Sequence, residues 1–186
     1  MLTGEKILVG VTGGIAAYKT ASLVRLLVKE GAEVKVIMTD HAKEFITPLT
    51  LATLSKNPIL TAFFNPENGE WNSHIDLGTW ASFFVIAPAT ANTIAKMACG
   101  VADNLLLTTY LSARCPVFIA PSMDVDMLNH QVTSGNLEKL KAAGVHILDA
   151  PEGELASGLS GKGRMMEPED ILREITGFLK KKTISL

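Results

Sequence analysis

Five short runs along the chain are apolar at almost every position: "KILVGV" (6–11), "VKVIM" (34–38), "FFVIA" (83–87), "PVFIA" (116–120) and "VHIL" (145–148). Runs this short and rich in β-branched residues predict strands, and apolarity on both faces predicts strands covered from both sides, as in a parallel sheet. Between them the pattern changes to a helical period. Ala16 to Glu30 places Ala17, Leu23, Leu26 and Leu27 on one face and stops at Gly31, a C-terminal helix signal. Further helices are expected over Pro48–Ser55, Ala91–Ala98, Asn104–Ser112, Ser134–Ala143 and Pro168–Lys180. This alternation predicts an α/β fold, a Rossmann-like or flavodoxin-like doubly wound parallel sheet with helices on both faces.

In such folds ligands sit beyond the carboxyl ends of the strands. Four polar, small-residue clusters fall there: "TGG" (12–14), "TDHA" (39–42), "PATANT" (88–93) and "PSMDVDM" (121–127). The first is a glycine turn opening a helix, suited to a phosphate; it is not a P-loop, because Tyr18 precedes Lys19 where a P-loop has glycine. A tight turn alone would also explain Gly13 and Gly14. Thr39 offers a hydroxyl to a terminal phosphate, while Asp40 keeps a ribose-binding alternative open. Thr90, Asn92 and Thr93 stand at a helix start, where they either cap the helix or reach a ligand. Met123 and Met127 flank Asp124 as core fillers or as the wall of a small-molecule pocket. A long glycine-rich connection, "GELASGLSGKGRMMEP" (153–168), is expected to be a functional lid or a linker.

At 186 residues one domain, 1–186, is expected, with a core that removes roughly 70% of the unfolded surface from water. The net charge of −2 gives no reason to expect nucleic acid or an anionic membrane as partner. No apolar run approaches the ~20 residues of a membrane span, and the first residues lack a signal-peptide pattern. Cys99 and Cys115 have no metal-ligand spacing, so two reduced thiols in a cytoplasmic protein and no metal are expected. Of the four histidines, His41, His130 and His146 read as structural. His74, in "WNSHIDLG" just before the third strand, is the candidate for chemistry.

The ordered set "VTGGIAAYK", "MTDHA", "HIDL", "APATANTIAKMACGVADNLL", "APSMDVDM" and "GKGRMMEP" resembles the homo-oligomeric flavin-containing cysteine decarboxylases over nearly the whole chain. That resemblance implies FMN held by Gly13, Gly14, Ile15, Thr39, Thr90, Ala91, Asn92 and Thr93, with Ala120 nearby. It also implies a site assembled between subunits of a trimer, with trimers associating into dodecamers, and a synthetase, fused or separate, that makes the substrate. The reaction implied is decarboxylation of 4′-phosphopantothenoylcysteine to 4′-phosphopantetheine in coenzyme A biosynthesis. The CH₂–SH carbon is oxidised to a thioaldehyde, carbon dioxide leaves to give an enethiol, and the reduced flavin returns its hydride. His74 would be the acid/base residue. Met123, Asp124, Met127, Gly158, Lys162, Arg164 and Met165 would hold the substrate beneath a lid at about 151–167 that shields the intermediates.

Two residues depart from the pattern of these enzymes. Asp124 stands where they carry Asn, and Ser157 stands where the lid carries the proton-donating Cys. The Asp would repel a substrate carboxylate unless it is protonated, paired with Arg164 or Lys162, or turned away. The Ser favours an alternative, an oxidative decarboxylase of a cysteine-containing substrate that stops at the enethiol. A non-catalytic flavin-binding regulatory subunit and a flavin prenyltransferase are the further alternatives.

Overall fold

In the computed structural model, which describes residues 2–65 and 67–184, six parallel strands form one sheet in the order β3-β2-β1-β4-β5-β6. These are β1 (Lys6–Val11), β2 (Glu33–Met38), β3 (Ile59–Leu60), β4 (Phe83–Ala89), β5 (Val117–Pro121) and β6 (His146–Ile147). The expected sheet is therefore present, with one added edge strand too short to show a pattern in sequence. Residues 1, 66, 185 and 186 of the expected domain lie outside the described residues.

Alternation along the central strands divides the core in two. Ile7, Val9 and Val11 of β1 and Phe83 and Val85 of β4 face α1 (Ala17–Lys29), α2 (Pro48–Ser55) and α8 (Pro168–Ile184), where Leu23, Leu51 and Ile171 meet them. Leu8, Phe84 and Ile86 face the other way, against α3 (His74–Trp80), α4 (Ala91–Cys99), α5 (Leu105–Ser112) and α7 (Gln131–Ala142). Burial on both faces is the reason the strands read as continuous apolar runs. Gly31, at φ 92°, follows the α1 C-cap and turns the chain into β2.

Three short helical pieces were not expected: a 3-10 turn at Asp40–Glu44, α3 (His74–Trp80) and α6 (Val125–Asn129). The glycine-rich connection also differs from a plain loop. Glu152–Glu154 (β7) and Ser160–Lys162 (β8) pair as an antiparallel hairpin, closed by Leu155 N–H to Leu159 O at 2.7 Å and turned at Gly158, φ 82°. Its side chains bury little, so no period-2 pattern betrayed it.

Candidate functional site

The strand order reverses between β1 and β4, and there the rims of those strands lie side by side. Thr12 joins them: its hydroxyl donates to Pro88 O at 2.7 Å and accepts from Thr90 N–H at 3.1 Å. Thr20 in α1 adds a second tie, donating to Ala87 O at 2.7 Å. The turn after β1 therefore has a fixed position relative to the start of α4.

That turn leaves donors exposed to the space above it. The backbone N–H groups of Gly13, Gly14 and Ile15 find no backbone acceptor among the described residues; the first N–H to bond back is that of Ala17, to Gly14 O at 2.9 Å. Gly13 is required by close approach, because a Cβ there would sit 2.5 Å from His41 Cβ. Thr39 begins the 3-10 turn, and its hydroxyl does not cap it. Asp40 is engaged by Lys43 at 2.8 Å, and this ammonium holds the Asp40 carboxyl below its ordinary range. Thr90 does cap α4, accepting from Thr93 N–H at 3.4 Å, so the capping reading holds for that residue; Asn92 is exposed beside it.

The opposite wall is built from the end of β5 and the foot of the hairpin. Met123 N–H donates to Gly163 O at 3.0 Å, and a Cβ at Gly163 would lie 2.3 Å from Met123 O. Asp124 follows. It precedes α6 without capping it, and its buried Oδ1 has no hydrogen-bond partner among the described residues. Arg164 is turned away from it, to Glu167 Oε1 at 3.4 Å. The same Glu167 oxygen accepts from Lys19 Nζ at 2.5 Å, and Lys19 is buried.

One cavity of about 1130 Å³ joins these walls. It brings together Gly13, Gly14, Ile15, Thr39, Thr90, Ala91, Asn92, Thr93, Met123, Asp124, Met127, Ser157, Arg164 and Met165. Four other candidates do not line it. Ala120 is fully buried in β5 behind the rim, and Gly158 and Lys162 lie on the hairpin. His74 begins α3, half-buried, its Nδ1 buried and unpartnered among the described residues. Sequence reasoning missed Lys19 and Thr12 as site residues. Lys19 had a signal, a cation on the apolar face of α1; the Thr12 staple had none, since it depends on two strands adjacent in space and 76 residues apart. Asn104 and the Lys96–Asp103 ion pair also reach the cavity, from α4 and the turn before α5.

Among the described residues no group of three or more His, Cys, Asp or Glu is placed to hold a metal, and no helix is long and apolar enough to cross a membrane.

Comparison with known proteins finds a match to the family model described as Flavoprotein over residues 1–180. A cysteine/cysteine sulfinic acid decarboxylase from an unknown prokaryotic organism is 69% identical over 140 residues, 75% of this chain and 39% of that protein. The coenzyme A biosynthesis bifunctional protein CoaBC of Bacillus subtilis is 46% identical over 173 residues, 93% of this chain and 43% of that protein. The chain thus spans about two-fifths of these relatives' length. A solved structure of a PPC decarboxylase mutant complexed with pantothenoylaminoethenethiol superposes with a TM-score of 0.83 at 31% identity, covering 95% of this chain and 98% of that one.

Proposed function

Because the chain belongs to the flavoprotein family, we propose that its cavity binds FMN and decarboxylates a cysteinyl substrate, converting 4′-phosphopantothenoylcysteine to 4′-phosphopantetheine in coenzyme A biosynthesis. The observation that carries this is the set of N–H groups at Gly13, Gly14 and Ile15, without a backbone acceptor among the described residues, on the same cavity as Asp124 and Arg164.

The residues fit FMN. Three amides just ahead of α1 with no backbone acceptor among the described residues, on one cavity with Thr39, suit a phosphate. A Cβ at Gly13 would crowd that cradle against His41, so the backbone itself is the binding surface. The rim from Thr90 to Thr93, with Ala120 behind it, would hold the ring system. The chemistry supplied by bound FMN is removal of two electrons from the CH₂–SH carbon, which makes the carboxylate a leaving group, and their later return.

The chain's own groups supply the remainder. Thr12 keeps the phosphate turn and the ring rim in register. Met123 and Met127 give an apolar wall that excludes water from the reacting carbons, and the hairpin carrying Ser157 covers them. Arg164, held by Glu167, orients the substrate's anionic end. His74 would move the proton, and it would do so in a neighbouring subunit's cavity, as a trimer or dodecamer of trimers requires. Ile15 and Tyr18, both well exposed at the cavity wall, are apolar surface suited to such a neighbour. A synthetase activity, fused or separate, would supply the substrate, in a cytoplasm that keeps Cys99 and Cys115 reduced.

A second reading, a smaller or only oxidatively decarboxylated cysteine substrate, is favoured by Asp124, by Ser157 and by the relative that acts on cysteine and cysteine sulfinic acid. The deciding experiment incubates FMN-loaded protein with phosphopantothenoylcysteine and weighs the product. Phosphopantetheine with carbon dioxide supports the first reading, and a product two mass units lighter supports the arrested one. Protein without FMN affinity overturns both.

A further inference from the structure

Three cations line the cavity, and each is already claimed by an acid: Lys19 and Arg164 by Glu167, and Lys96 by Asp103. Two acids on the wall make no ion pair among the described residues: Glu154, exposed to solvent on the hairpin, and Asp124, which is not. Asp124 Oδ1 is buried against the wall beneath the hairpin, caps nothing and bonds to nothing among the described residues. With that oxygen enclosed and the residue lining the cavity, an ionised Asp124 is costly unless a ligand that enters the cavity offsets its charge. A cation offsets that charge, and among the described residues no cluster of metal-ligating side chains stands there to hold a metal, which leaves an organic ligand as the carrier to test.

We infer that Asp124 reads the α-amino group of the substrate, and that the site accepts a cysteine-type amino acid whose ammonium is free. The inference rests on the cysteinyl decarboxylase reading but not on the identity of its acylated substrate. In an N-acylated cysteine the α-nitrogen is a neutral amide, so beside Asp124 the substrate carboxylate two bonds away adds a negative charge that the nitrogen does not offset. A free cysteine brings its own. Its ammonium donates charge-assisted hydrogen bonds to Asp124 and offsets the repulsion between the two carboxylates. An Asn at this position would accept from an amide N–H equally well but would lose the charge that selects an ammonium. One atom of side-chain chemistry therefore separates the two substrate classes.

For free cysteine the balance is simple. The bond from the α-carbon to the carboxylate breaks and carbon dioxide leaves; one proton takes its place. The two electrons withdrawn from the CH₂–SH carbon by bound FMN are returned, giving cysteamine.

The test measures binding separately from turnover. L-serine and N-acetyl-L-serine, oxygen analogues that cannot form the thioaldehyde, are titrated calorimetrically into FMN-loaded protein. Wild type should bind the free amine at least about tenfold more tightly. Asp124→Asn should bring the ratio to about one or invert it, with FMN content and melting temperature retained. A mere packing role for Asp124 would weaken both ligands alike. Equal or tighter binding of N-acetyl-L-serine by wild type overturns the inference, as does a ratio that Asp124→Asn leaves unchanged. If that variant fails to load FMN, the wild-type ratio decides alone. Parallel assays with L-cysteine and phosphopantothenoylcysteine keep the two readings apart: carbon dioxide from the second substrate without any preference for the free amine defeats the inference and spares the decarboxylase.

Discussion

Lys19 and Glu167, 148 residues apart, meet at 2.5 Å and so fasten the phosphate-side helix α1 to the segment that follows the hairpin. Lys19 also donates to Met165 O at 3.4 Å. Because Lys19 is buried and Glu167 is nearly half exposed, the two ends of the pair do not tolerate loss equally. Glu167→Gln strands a buried ammonium and should cost about 1–3 kcal/mol, less than for a fully buried pair because solvent screens the carboxylate. Lys19→Met should cost less, and the double variant less than the sum of the two. Urea denaturation of the four proteins checks this.

Gly13 and Gly14 are adjacent but unequal. A methyl at Gly13 meets His41 Cβ at 2.5 Å and its carbonyl carbon at 2.9 Å, whereas one at Gly14 meets only Thr90 Cγ2 at 3.5 Å. Gly13→Ala should therefore move the turn and weaken FMN at least about tenfold, while Gly14→Ala keeps the fold and its melting temperature. Quenching of flavin fluorescence on titration gives both affinities.

His74 stands outside the cavity of its own chain. His74→Asn should keep FMN and abolish carbon dioxide release. Mixing it, after dissociation and reassembly, with a Gly13→Ala chain at an FMN concentration too low to load that variant should restore part of the activity, because some hybrid cavities then have an intact flavin cradle and an intact histidine. No recovery in hybrids whose formation is verified by mass would place the reaction within single chains.

Ser157 is exposed at the tip of the hairpin and lines the cavity. A thiol is a far stronger acid than an alcohol, so Ser157→Cys should raise the fraction of fully reduced product over the species two mass units lighter. Mass spectrometry of the product mixture reads that ratio directly.

Burial pushes the Cys115 thiol up from its ordinary range, whereas Cys99 is exposed. Only the thiolate is alkylated, so iodoacetamide should modify Cys99 first at pH 8, and Cys115 should keep gaining reactivity as the pH rises above the usual thiol range. Peptide mapping over a pH series distinguishes them.

The sheet was legible because its physics is local and redundant: every central strand is buried on both faces, and each advertises this with an apolar run. Thr39, Thr90 and Asp124 were legible by position, since they follow strands that could be read. Three features could not be read that way. The hairpin is held by backbone bonds between residues with little to bury. The Thr12 staple depends on strand order. The commitment of Arg164 to Glu167, which leaves Asp124 alone, depends on where a flexible side chain comes to rest.

The hydrogen bond from Met123 to Gly163, together with the lack of room for any side chain at 163, makes the base of the hairpin and the wall beneath it one mechanical part. The tip, residues 156–159, makes no hydrogen bond to that wall among the described residues. Gripping and covering are therefore assigned to separate stretches of chain. Insertions or exchanges at the tip can change which ligands are enclosed without disturbing the groups that hold them, and this modularity gives the scaffold a way to diversify its substrates while its flavin cradle stays fixed.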